Sequence, residues 1–179
     1  TLREEGPHHS FIGHFTQPGP TKVLHRGSPE NPRDEVPPAG FAIMEGNLGL
    51  DSSTEEPIRR KKFADWLTNP KHPLTARVMV NRIWHHLFGT GIVPTTADFG
   101  IAGAKPTHPE LLDWLCRDFI NHNWSTKHLV KQIVLSATYR QDSVLTPELQ
   151  SLDIANKLLA RGPSHRLTGE AIRDAALLT

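Results

Sequence analysis

The sequence predicts a mainly α-helical protein: an irregular helical bundle with an extended N-terminal arm rich in proline and glycine. From residue 57 onward, apolar residues recur at the spacing of amphipathic helices. Residues that start and stop helices punctuate the same stretches. The 15 prolines and 13 glycines of the 179 residues are concentrated in the first half. We therefore expect residues 1–56 to form an arm or the end of a preceding region, and residues 57–179 to form a helical domain.

The arm is predicted to be irregular because its prolines exclude long helices and central strands. Residues 21–26 have the composition of one short strand, which Gly27 would end. We expect the arm to lie extended along the helical body.

The first two predicted helices have clear ends. Pro57 suits the first turn of a helix, and Pro70 excludes its continuation. The second helix is predicted from about residue 74 to residue 88, with Gly89 as its C-cap.

A loop over residues 90–106 separates these helices from the next pair. The third helix is predicted to open with a capping box from Thr107 to Glu110, in which each side chain would satisfy a backbone N–H group. Ser125 is the predicted N-cap of the fourth helix.

Two further helices are predicted at about residues 147–160 and 167–178. The last one shows no stop signal. We therefore expect the domain to be truncated in this sequence and to continue past Thr179.

The charge balance argues against a nucleic-acid binder. The chain has 20 basic and 19 acidic residues, a formal net charge of +1, whereas such binders usually carry a basic patch. The one basic cluster, residues 59–62, is interpreted as a solvated helix face. Asp113 and Arg117, four residues apart, can pair on another such face.

Other classes are excluded by what the sequence lacks. Cys116 is the only cysteine, so the chain can form neither an internal disulfide nor a CxxC or haem-attachment motif, and we interpret it as a core residue. No apolar run is long enough to span a bilayer. Nucleotide-binding glycine motifs are absent too, so no cofactor is predicted for this chain.

The second helix carries the most informative polar residues. Arg77, Asn81 and His85 follow one another at helical spacing, beside a wall formed by Trp84 and Phe88. Arg77 would project between the two aromatic rings, where an unpaired guanidinium is costly. Two interpretations remain open: a buried ion pair that locks the helix to its neighbours, or a ligand-binding face.

Three residues close in sequence could instead support hydrolysis. Asp98 or Glu110 could act as a base, with His108 as acid or orienting group, and His85 is a further candidate. The structural alternatives are that Glu110 caps a helix and that Asp98 forms a turn or pairs with Arg77.

Glu170 and Asp174 lie four apart on the last predicted helix, where like charges repel mildly. This spacing favours an outside cation such as Arg77, Arg82 or Arg166, which would tie the last helix to the second.

No metal site is predicted, although the chain has eleven histidines. The adjacent His85 and His86 point to different sides of a helix, and no HExxH pattern occurs.

A series of short strings resembles the planctomycete-specific PSD-one domain, a family of unknown function. In chain order the strings are ADWL at 64–67, NP at 69–70, HPLTARV at 72–78, VNRIW at 80–84, FGTG at 88–91, DFG at 98–100, HPELLDWL at 108–115, WS at 124–125, SATYR at 136–140 and EAIRD at 170–174. The chain departs from the usual pattern over residues 161–169, where a more basic and more helical segment is expected.

The resemblance implies an extracytoplasmic setting and a multidomain parent protein. Members of the family usually form the C-terminal part of large exported proteins, often after a cytochrome-c-type module. Any haem would therefore belong to an upstream module. The family supplies no catalytic residues.

Two functions are therefore expected from the sequence. The first is a non-catalytic helical module that docks neighbouring domains or binds an extracellular ligand such as carbohydrate, using Arg77, Asn81, Trp84, His85, Phe88, Asp98, Glu170 and Asp174. The alternative is a hydrolase with Asp/Glu/His acid–base chemistry. Both place the Arg77 guanidinium inside the packed body.

Overall fold

The computed structural model describes residues 16–164 and 166–178. Within these ranges the chain forms six α-helices and one two-stranded sheet, which confirms the mainly α prediction. The chain divides into two compact units, of which the first ends at Asn69 and the second begins at Pro70. The predicted domain limits at residues 56 and 57 remain a prediction.

The first unit contains a β-hairpin. Strand β1, Thr21–Leu24, pairs antiparallel with β2, Pro32–Val36, and a 3₁₀ turn over His25–Gly27 begins the connection. The sequence predicted β1 but not β2, because proline is normally excluded from sheet interiors. Pro32 is the first residue of a strand in a two-stranded sheet, where its missing N–H group is tolerated.

Helix α1, Glu56–Leu67, completes the first unit, with proline in its first turn as predicted. The indole Nε1 of Trp66 donates a hydrogen bond to the carbonyl oxygen of Met44 at 3.0 Å. A Cβ atom on Gly40 would lie 3.0 Å from the same indole ring. The lack of a side chain at residue 40 therefore lets the backbone pack closely against α1.

The core of the second unit lies between α2, Thr75–Phe88, α3, Pro109–Asn121, and α4, Thr126–Leu135. Two predicted ends are confirmed: Gly89 takes the left-handed conformation after α2, and Ser125 accepts a hydrogen bond from the backbone N–H of His128. The buried apolar residues are Ala76, Val80, Trp84, Ile92, Val93, Leu112, Leu115, Cys116, Phe119, Leu129 and Ile133.

The capping box predicted at the start of α3 is wrong. His108 occupies the N-cap position and its side chain caps no backbone group. The backbone N–H and the hydroxyl of Thr107 both donate to the carbonyl oxygen of Ile92, at 2.9 and 3.3 Å. Thr107 therefore holds the preceding loop to the core.

Helices α5, Pro147–Leu152, and α6, Gly169–Leu177, bury none of their residues. The helix predicted over residues 147–160 stops early because the Asp153 carboxylate accepts hydrogen bonds from the backbone N–H groups of Lys157 and Leu158. No helix in the described ranges has the length and apolar character needed to cross a membrane.

Candidate functional site

Arg77 forms an ion pair at the edge of the helical core. Its Nε and Nη2 atoms donate to the Asp113 Oδ1 atom at 2.9 and 2.6 Å, and its Nη1 atom donates to the Pro73 carbonyl oxygen at 2.7 Å. The Arg77 and Asp113 side chains are 39% and 47% exposed. The prediction that Arg77 pairs with a carboxylate from a distant segment is confirmed. The prediction that its guanidinium is enclosed is wrong, because the side chain is half-exposed. Asp113 pairs with Arg77, and the predicted pair of Asp113 with Arg117 does not form.

The aromatic wall contacts itself rather than Arg77. The rings of Trp84 and Phe88 stack with centroids 4.1 Å apart and planes 8° apart. The rings of Phe88 and Tyr139 lie nearly perpendicular, with centroids 5.4 Å apart and planes 85° apart. The Trp84 side chain is buried, so much of this aromatic surface is used in packing.

Asn81 fixes the loop that follows α2. It is fully buried, its Nδ2 atom donates to the Val93 carbonyl oxygen at 2.9 Å, and its Oδ1 atom accepts from the Val93 N–H group at 2.8 Å. A Cβ atom on Gly91 would lie only 2.8 Å from the Asn81 amide nitrogen. Asn81 therefore contributes to the shape of the loop, with its amide already engaged.

A cleft of about 280 Å³ opens at the C-terminal end of α2. Of the predicted site residues, Trp84, Phe88 and His108 line it. The other lining residues are Thr90, Gly91, Ile92, Pro94, Thr107, Ala155, Asn156, Lys157 and Leu159. Asn156 and Lys157 were not predicted as site residues, because only the turn closed by Asp153 brings that segment beside α2.

Asp98 is a turn residue, as one of its two structural interpretations predicted. Its Oδ1 atom accepts a hydrogen bond from the Gly100 N–H group at 2.8 Å, and its carbonyl oxygen accepts from the Thr95 hydroxyl at 2.7 Å. A Cβ atom on Gly103 would lie 2.3 Å from that carbonyl oxygen. This loop therefore depends on a glycine beside Asp98.

The remaining candidate acid–base residues form no hydrogen bonds with one another within the described residues. The Nδ1 atom of His108 lies 3.0 Å from the Thr107 hydroxyl, and Glu110 is exposed in the first turn of α3. The Nδ1 atom of His85 is buried without a hydrogen-bond partner. Among the described residues, no hydrogen bond links any two of Asp98, His108, Glu110 and His85.

The predicted tie between the last helix and α2 is wrong. Asp174 pairs with its neighbour Arg173 at 2.8 Å, and both side chains are exposed. Glu170 is also exposed, in the first turn of α6. Of the three cations predicted as partners, Arg77 is bound by Asp113, and neither Arg82 nor Arg166 forms an ion pair within the described residues.

The structure brings together three residues that the sequence analysis missed. Asp118, His122 and His128 each offer a potential ligand atom, and these atoms all lie within 4.8 Å of one another. Asp118 and His122 are four residues apart, a spacing that places them on one helix face. That spacing was the available signal, but a search limited to HExxH overlooks it.

Cys116 is a core residue, as predicted. Burial raises the pKa of its thiol to about 12. The reactive species of a cysteine is the thiolate, so this side chain stays in its inert thiol form at neutral pH.

Large apolar side chains are exposed along the final third of the chain. We call them the C-terminal apolar surface and define it by Val144, Leu145, Leu152, Ile154, Leu158, Leu167, Ile172, Leu177 and Leu178. All nine are aliphatic. This surface was not predicted, since large aliphatic side chains are most often buried.

Comparison with known proteins identifies a family for the chain. A family model, PSD1, described as a protein of unknown function (DUF1553), matches residues 59–179. No curated protein and no solved structure matches the chain.

Proposed function

The chain belongs to the PSD1 family of proteins of unknown function, and from that premise we propose that it acts as a non-catalytic docking module. Its C-terminal apolar surface would bind a neighbouring domain of its own parent protein. The observation that carries this proposal is the exposure of nine large aliphatic side chains over residues 144–178. We propose that these side chains lie together as one patch, and contiguous exposed apolar patches mark interaction sites in soluble proteins.

The size of the surface is sufficient for docking. Burying the remaining exposed part of each aliphatic side chain contributes about 1 kcal/mol, so nine contribute roughly 9 kcal/mol before costs. Association between separate molecules costs at least about 4 kcal/mol. A domain joined to the same chain avoids part of that cost because its effective concentration is high.

The chemistry of the surface favours a polypeptide partner. Sugar-binding sites need polar groups to recognise hydroxyls, and these nine side chains offer none. Helices that lie on anionic membranes carry Lys and Arg on their polar face. Helix α6 instead has one basic residue, Arg173, and two acidic ones, Glu170 and Asp174. An apolar face of another protein domain fits better.

Site-specific photo-crosslinking in the native full-length protein tests this proposal. A benzophenone amino acid would replace Leu158, which lies in the C-terminal apolar surface. A matched variant would carry it at the exposed Lys131 on α4. We expect the Leu158 position to crosslink to a part of the same polypeptide outside residues 70–178, and the Lys131 position not to do so.

Two outcomes would count against docking within the parent. Equal crosslinking from both positions would mean that no specific surface is covered. Crosslinks from residue 158 to lipid alone would favour a membrane partner instead.

A second candidate function is binding of a carbohydrate in the cleft at the end of α2. The cleft combines apolar walls with the polar side chains of His108 and Lys157, a composition found in small-molecule sites. The amide of Asn156 also lines the cleft but is hydrogen-bonded to the Arg161 backbone. A glycan array would test it with the full chain, a Lys157→Ala variant and a Lys105→Ala control outside the cleft. Binding that is unaffected by Lys157→Ala and by His108→Ala would reject this candidate.

The hydrolase hypothesis has less support. It needs a carboxylate beside the bound substrate, and neither Asp98 nor Glu110 lines the cleft. We also propose an exported parent protein with a haem-binding module upstream, on the strength of the family resemblance alone. Fractionation of the producing cells tests the first point, and the absorption spectrum of the purified parent tests the second.

A further inference from the structure

We propose that Asp118, His122 and His128 form a binding site for a divalent first-row transition metal, with Zn²⁺ as the best-fitting ion. The site lies at the corner between α3 and α4, apart from the cleft and from the C-terminal apolar surface. Two imidazoles and one carboxylate form a donor set typical of zinc and related metals.

The fold positions the three side chains before any metal binds. Asp118 lies in the last turn of α3, His122 is the C-cap of that helix, and His128 lies in the first turn of α4. Ser125 caps α4 by accepting the backbone N–H of His128. Both ends of the corner are therefore held by local backbone contacts.

The tight turn between the helices is anchored in the core. Asn123 and Trp124 adopt left-handed conformations, with φ of 53° and 58°. The Trp124 N–H group donates to the Phe119 carbonyl oxygen at 2.9 Å, and the two rings meet edge to face at 5.4 Å. Because Phe119 is buried, this turn keeps the two helix ends close together.

The distances suit a shared ion. Asp118 Oδ1 lies 3.2 Å from His122 Nδ1, and Asp118 Oδ2 lies 2.9 Å from His128 Nε2. In a tetrahedral site with metal–donor bonds of about 2.0–2.2 Å, donors lie about 3.3–3.6 Å apart. A metal could thus replace the hydrogen-bonding protons after small movements of the side chains.

Binding requires two rearrangements. The His122 Nδ1 atom lies 2.9 Å from the Asp118 backbone carbonyl oxygen, and that hydrogen bond must be given up for the metal. The rings of His122 and His128 stack with centroids 3.7 Å apart and planes 15° apart. One ion needs a nitrogen lone pair from each ring to point at the same place, so the stacked rings must tilt apart. His122 is 48% exposed and has space to turn, whereas Asp118, at 15%, is more enclosed and acts as the fixed member.

The coordination would be incomplete with these ligands alone. Three protein donors leave a fourth tetrahedral position for water, as in open zinc sites. The alternative is a purely structural role, in which Asp118 orients the two histidines by hydrogen bonds and holds the helices together. The two interpretations differ in whether the chain binds one metal ion tightly at this place.

Metal titration of the full chain tests the proposal. Zn²⁺ binding would be measured by calorimetry, and Co²⁺ binding by its visible absorption. We expect one saturable site, and His128→Ala should weaken binding at least about 100-fold, above the effect typical of outer-shell groups. His86→Ala, which removes an exposed histidine on α2, should leave the dissociation constant unchanged.

A second variant keeps the test sharp if His128→Ala disturbs the helix. His122→Ala alters an exposed side chain at the C-cap, and circular dichroism would confirm that each variant is folded. Binding should also weaken as the pH is lowered, since metal and protons compete for imidazole nitrogen. The metal site would be overturned if both alanine variants bound Zn²⁺ with wild-type affinity, or if the unsubstituted chain showed no saturable binding. The corner would then be a purely structural, hydrogen-bonded contact.

Discussion

Asn81 uses both ends of its side-chain amide to hold a single residue of the loop after α2. Its partners are the N–H and carbonyl groups of Val93, and the whole arrangement is buried. A buried backbone group that loses its partner retains its full desolvation cost. The contact therefore matters more to stability than an exposed hydrogen bond does.

We predict that Asn81→Ala lowers the free energy of unfolding by about 2–4 kcal/mol, since two buried backbone groups lose their partners. Urea denaturation measures the change. The matched control is Asn121→Ala at the exposed end of α3, where we expect a change within about 0.5 kcal/mol. Equal effects of the two substitutions would show that the hydrogen bonds to Val93 contribute little.

At the same scale, Arg77 shows that a sequence can predict the type of partner correctly and the burial incorrectly. A carboxylate was expected and is present, but the ion pair is exposed instead of buried. The helical pattern places residue 77 beside the aromatic wall formed by Trp84 and Phe88. The long side chain then carries its charged end outward to Asp113. Periodicity fixes the direction of a Cβ atom and leaves the end of a long side chain undetermined.

At the scale of elements, Arg77 and Asp113 join α2 to α3 at their exposed edge. Exposed ion pairs gain little, because water screens the charges and ordering two side chains costs entropy. Packing of the apolar faces must supply most of the stability between these helices.

A double-mutant cycle tests this division between charge and packing. With Arg77→Ala, Asp113→Ala and the double variant, we expect a coupling free energy below about 1 kcal/mol. Denaturant unfolding gives the four stabilities that are required. As a comparison, Leu115→Ala in the core of α3 should cost about 2–5 kcal/mol. A coupling as large as that cost would show that the pair, rather than packing, joins the helices.

The ends of α2, α3 and α4 show which element boundaries are locally encoded. Gly89 ends α2 and Ser125 begins α4, each through contacts within a few residues, and both caps were predicted. The start of α3 was misjudged because Thr107 bonds Ile92, which is 15 residues away in sequence. A boundary decided by a distant backbone group leaves no local signal.

At the scale of the whole molecule, buried side chains are unevenly distributed. In the second unit they lie mostly in α2, α3 and α4 and the loop that joins α2 to α3, whereas α5 and α6 bury none. Segments with few buried contacts open locally at low free-energy cost.

Hydrogen exchange should reveal this gradient. In the isolated chain, we expect amides near Ala175 in α6 to exchange at least about 30-fold faster than those near Ile133 in α4, after correction for intrinsic rates. Exchange followed by mass spectrometry measures the ratio. Comparable protection of the two helices would contradict the uneven core, whereas added protection of α6 in the parent protein would agree with docking.

The sequence by itself determined the helical class, the amphipathic faces of α2 to α4, two helix caps and the family, since each follows from spacing and short ordered motifs. The tertiary structure decided which charged groups meet. It paired Arg77 with Asp113, engaged Asn81 with Val93, and brought Trp84, Phe88 and His108 to one cleft. Such contacts depend on how the helices pack and the loops close. The contacting residues are 12 to 36 positions apart in sequence, so helical periodicity does not predict which of them meet.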